Sequence, residues 1–103
     1  MNKLFVSMPM KGKTREEITA AMKKAHKDAE NAFAKPLVLI DSVIENHENM
    51  KPLACLGESI KRLAEADYAY FCKGFDSARG CMIEWRCAGA FGITRVAEGR
   101  DEK

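Results

Sequence analysis

Glu84 is the residue of this sequence whose type and position most directly suggest chemistry. Residues 79–91 have the periodicity of a helix, and one face of it carries Gly80, Glu84, Cys87, Ala88 and Phe91. The other four residues are small or apolar, so we expect this face to pack inside the protein and to take the carboxylate with it. An ionised carboxylate that faces a poorly hydrated cleft suits a nucleophile or a general base.

Two interpretations of Glu84 stay open on periodicity alone. Burial of an unpaired carboxylate is costly, but the nearby start of the helix is expected to offset part of that cost and to favour the ionised form. The alternative is a structural ion pair of Glu84 with Arg79, Arg86 or Lys73.

The loop after the first apolar run is a second candidate. Its predicted ligand contacts are Ser7, Met8, Pro9, Met10, Lys11, Gly12 and Lys13. Thr14 and Glu17 then have the spacing of a capping box, which predicts a helix start. Free N–H groups at that start, with lysines and Arg15 nearby, suit a phosphate or a carboxylate. The alternative is a solvated loop, and the segment lacks the signature of a P-loop.

The segment before the third helix supplies further candidates. Asp76 and Ser77 are expected either to cap the helix or to contact a ligand, and Arg79 follows them. Gly80 has no side chain, so a ligand could approach the backbone one turn before Glu84.

Other kinds of site find little support. The four cysteines, at positions 55, 72, 81 and 87, lack the C-x-x-C spacing and lie far from both histidines, so we expect reduced buried thiols, no metal site and no cofactor. His47 has no partner in view. Trp85 lies off the face of Glu84, which favours a core or interface position over ligand stacking.

The elements that must position these residues alternate between strand and helix. Strands are predicted at residues 4–7, 37–40, 68–72 and 93–97, with helices after Thr14, from 52 to about 66, and over 79–91. Continuous apolar strands predict a parallel sheet covered on both faces, an α/β flavodoxin-like or Rossmann-like three-layer sandwich with strand order 2-1-3-4. Loops 7–13 and 73–79 would then flank one crevice, and residues 41–51 would form a surface loop.

The length and composition are consistent with one such domain. The chain has 103 residues, so we assign residues 1–103 to a single domain and expect residues 98–103 to fray. A net charge of +2 without a basic stripe argues against nucleic-acid polymers as partners. The N-terminal apolar run is too short for a signal peptide, and no stretch is long enough to span a membrane. We therefore expect a soluble cytoplasmic protein.

Three stretches resemble the nucleoside 2-deoxyribosyltransferase-like superfamily, in particular its short bacterial and phage-type members. They are residues 4–12, residues 60–67 and residues 74–88. The most specific feature is Glu84 with a glycine four residues before it and an alanine four residues after it.

The resemblance implies an N-glycosidic-bond enzyme, a transferase or a hydrolase, that acts on a nucleoside or a nucleotide. Glu84 matches the nucleophile that attacks the anomeric carbon in that family. The first loop matches the segment near the sugar and the 5′-phosphate. Ser59 stands where relatives usually carry an acidic residue, and Glu58 lies beside it. The resemblance also implies a homo-oligomer, with the loop 41–51 or the second and third helices near the interface.

A different function is compatible with the same residues. Phe5 and Ala78 stand where relatives carry reactive side chains, which motivates a non-catalytic module that binds a nucleotide or another small anion. A structural or interaction domain is the third alternative.

Overall fold

A computed structural model of the chain describes residues 2–42 and 49–99, which form four strands and three α-helices. In chain order these are β1 (Lys3–Ser7), α1 (Arg15–Phe33), β2 (Val38–Leu39), α2 (Pro52–Leu63), β3 (Tyr68–Phe71), α3 (Arg79–Ala90) and β4 (Thr94–Ala97). A short 3-10 turn over Phe75–Ser77 precedes α3.

The strands form one parallel sheet in the order β2-β1-β3-β4, which confirms the predicted α/β fold and strand order. The two central strands, β1 and β3, pair with Phe5 opposite Ala69 and Ser7 opposite Phe71. Because both strands run in one direction, they end together at the same edge of the sheet. The segments that leave them therefore begin side by side.

One face of the sheet is covered by α1. The helix begins with the predicted capping box, in which Thr14 accepts from the N–H of Glu17 while Glu17 accepts from the N–H of Thr14. Its apolar side packs against β1 and β3, in a cluster whose buried members are Leu4, Val6, Met8, Ile18, Met22, Ala25, Ala29, Leu37 and Tyr70.

The other face is covered by α2 and α3. The buried residues on this face include Phe5, Leu63, Phe71 and Ala88. Successive side chains of β1 therefore pack on opposite faces of the sheet. Trp85 packs edge-on against Phe71, with ring centroids 5.1 Å apart. Trp85 thus has a core position, as predicted.

Two details of the helices differ from the sequence predictions. The α-helix α2 ends at Leu63 rather than near Ala66, because the N–H of Ala66 bonds to the carbonyl of Leu63 and tightens the last turn. Phe91 was predicted on the inner face of α3 but is 82% exposed. It follows the last helical residue, with a non-helical backbone, so the helical period no longer fixes its direction.

Several sequence predictions fall on residues outside the described ranges. His47, most of the loop 41–51 and residues 100–103 belong to this group. Within the predicted tail, the N–H of Glu98 donates to the carbonyl of Phe71 at 2.7 Å. Among the helices in the described ranges, none has the length and apolar character required to cross a membrane.

Candidate functional site

A cavity of about 690 Å³ opens where β1 and β3 end. Its wall comes from the end of β1 and the following loop, from the first half of α2 and from the start of α3. The lining is mostly apolar, and the only acidic side chain among its described residues is Glu84. The residues that line it include Phe5, Ser7, Met8, Pro9, Met10, Ser42, Leu53, Cys55, Leu56, Ser59, Ala78, Arg79, Gly80, Cys81 and Glu84.

Glu84 is 6% exposed, which confirms the prediction that it faces inward. The hydroxyl of Ser7 donates to its Oε1 atom at 2.6 Å, across 77 positions of sequence. Ser7 is the last residue of β1 and is itself buried, so the sheet fixes the position of this donor. Ser59, on α2, makes a second hydrogen-bonding contact with the carboxyl group. One residue from each of two other elements therefore holds Glu84 in place.

Burial raises the pKa of Glu84, and the contacts with Ser7 and Ser59 lower it only in part. The expected stabilisation of the ionised form by the helix start is weak, because Glu84 is the sixth residue of α3 and the dipole effect is confined to the first turn. Within residues 2–42 and 49–99, Glu84 has no ion pair with Arg79, Arg86 or Lys73, so this structural alternative finds no support.

Cys81 lies one helical turn before Glu84 and also lines the cavity. Burial raises the pKa of its thiol, and a side-chain contact with Ser7 lowers it. The hydroxyl of Ser7 has one proton, which it donates to Glu84. Burial is the larger effect on Cys81, so its pKa lies above the ordinary value of a thiol and the group is protonated at neutral pH.

The start of α3 forms one rim of the cavity. Its N-cap residue is Ala78, rather than Asp76 or Ser77, the two caps that the sequence suggests. The N-cap residue makes no side-chain hydrogen bond to the start of the helix. Gly80 faces α2, where a Cβ atom at Gly80 would lie 3.9 Å from Leu56. An alanine at position 80 would therefore make only an ordinary van der Waals contact, so the packing at this rim does not require glycine.

The predicted ligand contacts divide into two groups in the structure. Seven of them line the cavity with Glu84: Ser7, Met8, Pro9, Met10, Ser59, Arg79 and Gly80. The other six do not line it: Lys11, Gly12, Lys13, Glu58, Asp76 and Ser77. Lys11 and Gly12 are exposed, and Gly12 turns the loop with φ of 80°. Glu58 forms an exposed ion pair with Lys61 at 3.6 Å.

Lys13 belongs to a second, smaller cavity of about 220 Å³ on the α1 side of the same loop. Its Nζ atom donates to the carbonyl of Pro9 at 3.0 Å. Lys24, Asp28, Lys73 and Glu98 also line this space, which we call the charged cavity. The start of α1, where an anion was predicted, is partly satisfied by its own capping box.

Sequence reasoning missed several residues of the Glu84 cavity. Cys81 was available to it, because a residue three positions before Glu84 shares its helical face. Ser42 and Cys55 had no such signal. Ser42 is 4% exposed and donates to the carbonyl of Val6 at 3.2 Å, a contact that depends on how the chain returns to β1.

The comparisons with known proteins add no family: no family model matches the chain, and no curated protein matches it. In the described part of the chain, no three His, Cys, Asp or Glu side chains are grouped so that they could hold a metal ion. None of the four cysteines, all of which are described, forms a disulfide.

Proposed function

We propose that this protein cleaves or transfers the N-glycosidic bond of a nucleoside or a nucleotide, with Glu84 as the nucleophile. The observation that carries the proposal is the buried carboxylate of Glu84 at the wall of a large apolar cavity. Serine hydroxyls, rather than a cation, hold it there. The resemblance of three sequence stretches to nucleoside 2-deoxyribosyltransferase-like proteins supplies the reaction class.

The chemistry fits a retaining displacement through a covalent intermediate. A carboxylate oxygen of Glu84 forms a bond to the anomeric carbon, and the bond from that carbon to the base nitrogen breaks. The base leaves with the electron pair and takes a proton from water. Water, or a second base, then attacks the same carbon, and the bond from that carbon to the ester oxygen breaks, which returns Glu84 to its carboxylate. The attacking group loses one proton, which neutralises the hydroxide formed in the first step.

The surroundings of Glu84 support this role over a structural one. A paired carboxylate has its charge compensated, which lowers its tendency to attack carbon. Glu84 instead has neutral donors and a raised pKa, and its apolar surroundings strengthen its interaction with a positively charged, oxocarbenium-like centre. A volume of about 690 Å³ lies within the range of small-molecule sites.

The test is a panel of ribo- and deoxynucleosides and their 5′-monophosphates, with release of free base followed by chromatography. We expect release by the natural protein and none above background by Glu84→Gln, which keeps the shape of the side chain. Equal release by both proteins would refute the proposal.

A second candidate is a binding module for a nucleotide or a small anion, favoured by one observation. Burial raises the pKa of Glu84, and a protonated carboxyl group would donate a hydrogen bond to a ligand instead of attacking it. Thermal unfolding separates the two functions. A ligand at a hundred times its Kd stabilises the protein by about 2.7 kcal/mol, and stabilisation without base release would identify a binding module.

A homo-oligomer is the assembly that we propose for this site. Leu53, at the start of α2 and on the lining of the cavity, is 77% exposed, and only Leu63 is fully buried along that helix. A second copy would cover such apolar surface. Light scattering coupled to size exclusion is expected to give a mass above that of the monomer, and a monomer at all concentrations would contradict this assembly.

A further inference from the structure

The hydrogen bond between Ser7 and Glu84 is almost completely shielded from solvent and joins two different elements of the fold. Both residues are at least nine-tenths buried, and the donor and acceptor atoms are 2.6 Å apart. The donor lies on the central strand β1, whereas the acceptor lies on α3. A hydroxyl held by the sheet therefore stays in place if the carboxyl group changes its bonding.

A second titratable side chain lies beside this hydrogen bond. Ser7 also contacts the thiol of Cys81, one turn before Glu84 on the same helix. A serine hydroxyl has a single proton, and in this structure Ser7 donates it to Oε1 of Glu84. The carboxyl group of Glu84 is therefore the acceptor of the Ser7 proton.

We propose that Ser7 is the positioning residue of the reaction: its hydroxyl holds one carboxylate oxygen of Glu84 before attack and stays on it as the ester carbonyl oxygen. The proton of Ser7 is not transferred in either step. When the ester breaks, negative charge returns to the carboxylate, and a hydrogen bond to a charged acceptor is stronger than one to a neutral carbonyl. Ser7 therefore favours release of the sugar from Glu84.

The inference rests on the proposed function for the reaction, but its first test needs no substrate. The carboxyl carbon of Glu84 can be titrated by NMR in protein labelled with 13C-glutamate. Because Ser7 stabilises the charged form, Ser7→Ala is expected to raise the pKa of Glu84 further, by about one pH unit or more. Ser7→Cys, whose thiol is a weaker donor of similar size, should give a smaller rise.

The matched control is Ser42→Ala. Ser42 is an equally buried serine of the same cavity, but it donates to the backbone of Val6 rather than to Glu84. We expect the pKa of Glu84 to be unchanged in this variant. An unchanged pKa in both Ser7 variants, or the same rise in Ser42→Ala, would overturn the inference. If Ser7→Ala does not fold, the comparison of Ser7→Cys with Ser42→Ala decides.

The second test uses turnover. With a nucleoside in excess, Ser7→Ala is expected to carry the sugar on a larger fraction of its molecules than the natural protein, measured by intact mass after an acid quench. A merely structural loss would lower this fraction or leave it unchanged, which would count against the role of Ser7. A shifted pKa in a protein that releases no base would contradict the proposed function while leaving the contact intact.

Discussion

The two cavities at the carboxyl ends of the strands share Met8 and Pro9 but hold their acidic side chains in opposite ways. In the larger cavity Glu84 is 6% exposed and its partners are hydroxyls. In the charged cavity Glu98 is about one third exposed, accepts the backbone N–H of Lys73 at 2.9 Å and lies 3.7 Å from Lys24.

The difference between the surroundings of Glu84 and Glu98 indicates which carboxylate is arranged for reaction. The charge of Glu98 is compensated by a cation and by solvent, so the carboxylate links β4 to its neighbours at little cost. Glu84 lies in an apolar space with serine hydroxyls as partners, and burial raises its pKa because the ionised form is poorly solvated there, which folding alone would not favour. A residue whose placement lowers the stability of the fold in this way is typical of a functional site.

The largest expected difference is in activity. We expect Glu84→Gln to lower base release by about three orders of magnitude or more, since loss of a nucleophile removes the covalent route. Glu98→Gln should stay within about twofold of the natural protein, because Glu98 does not line the cavity of Glu84. Steady-state kinetics on the best substrate of the panel makes the comparison. Comparable losses in both variants would remove the functional distinction between the cavities.

The two substitutions should also move stability in opposite directions at pH 7. Glu84→Gln replaces a buried charge by a neutral group and should add about 1 kcal/mol, or about 4–8 °C in Tm for a domain of this size. Glu98→Gln loses an ion pair and a charged acceptor and should lower stability by up to about 1 kcal/mol. Urea denaturation and calorimetry measure both. A destabilised Glu84→Gln would mean that its carboxylate is compensated after all.

The stability gained by Glu84→Gln should decrease as the pH falls. The pKa of Glu84 is raised in the folded protein, so between about pH 4.3, the unfolded value, and the raised value the folded state binds more protons. The natural protein therefore loses stability as pH rises through that window, whereas Glu84→Gln lacks this loss. The difference between them should vanish below about pH 4. A difference that is constant with pH would contradict this explanation.

The smallest expected effect is on the pKa of Tyr70, which is influenced by Glu98 of the charged cavity. Burial first, and the charge of Glu98 second, raise the pKa of Tyr70 to about 12. Glu98→Gln should lower this pKa by a few tenths of a unit, and Glu84→Gln should leave it unchanged. Ultraviolet titration of the two tyrosines, with Tyr70→Phe to assign the signal, follows the change. An equal shift in both variants would show that the two cavities are electrostatically coupled.

The sequence was sufficient to predict the strand order and the burial of Glu84. Apolar strands and right-handed connections leave few arrangements, and the period of α3 places Glu84 beside Ala88 on the inner face. The same period gave a wrong prediction for Phe91, which is exposed. The helix ends at Ala90, and the periodicity of the sequence does not show where a helix ends.

The partners of Glu84 were beyond sequence reasoning. Ser7 is 77 positions away, and the contact exists only because β1 and α3 meet at one edge of the folded sheet. The electrostatic expectation also needed coordinates, since a favourable helix start and an unfavourable burial act on the same carboxylate. Burial is the larger effect, and the pKa rises.

The central claim is that Glu84 attacks the substrate, and the most direct measurement is the mass of the protein during turnover. A nucleoside that releases base is mixed with the protein, the reaction is quenched in acid, and intact mass is followed by peptide mapping. The account predicts an added sugar on the peptide that contains Glu84, and none in Glu84→Gln. Base release with no adduct, or with the sugar on Cys81 instead, would contradict it.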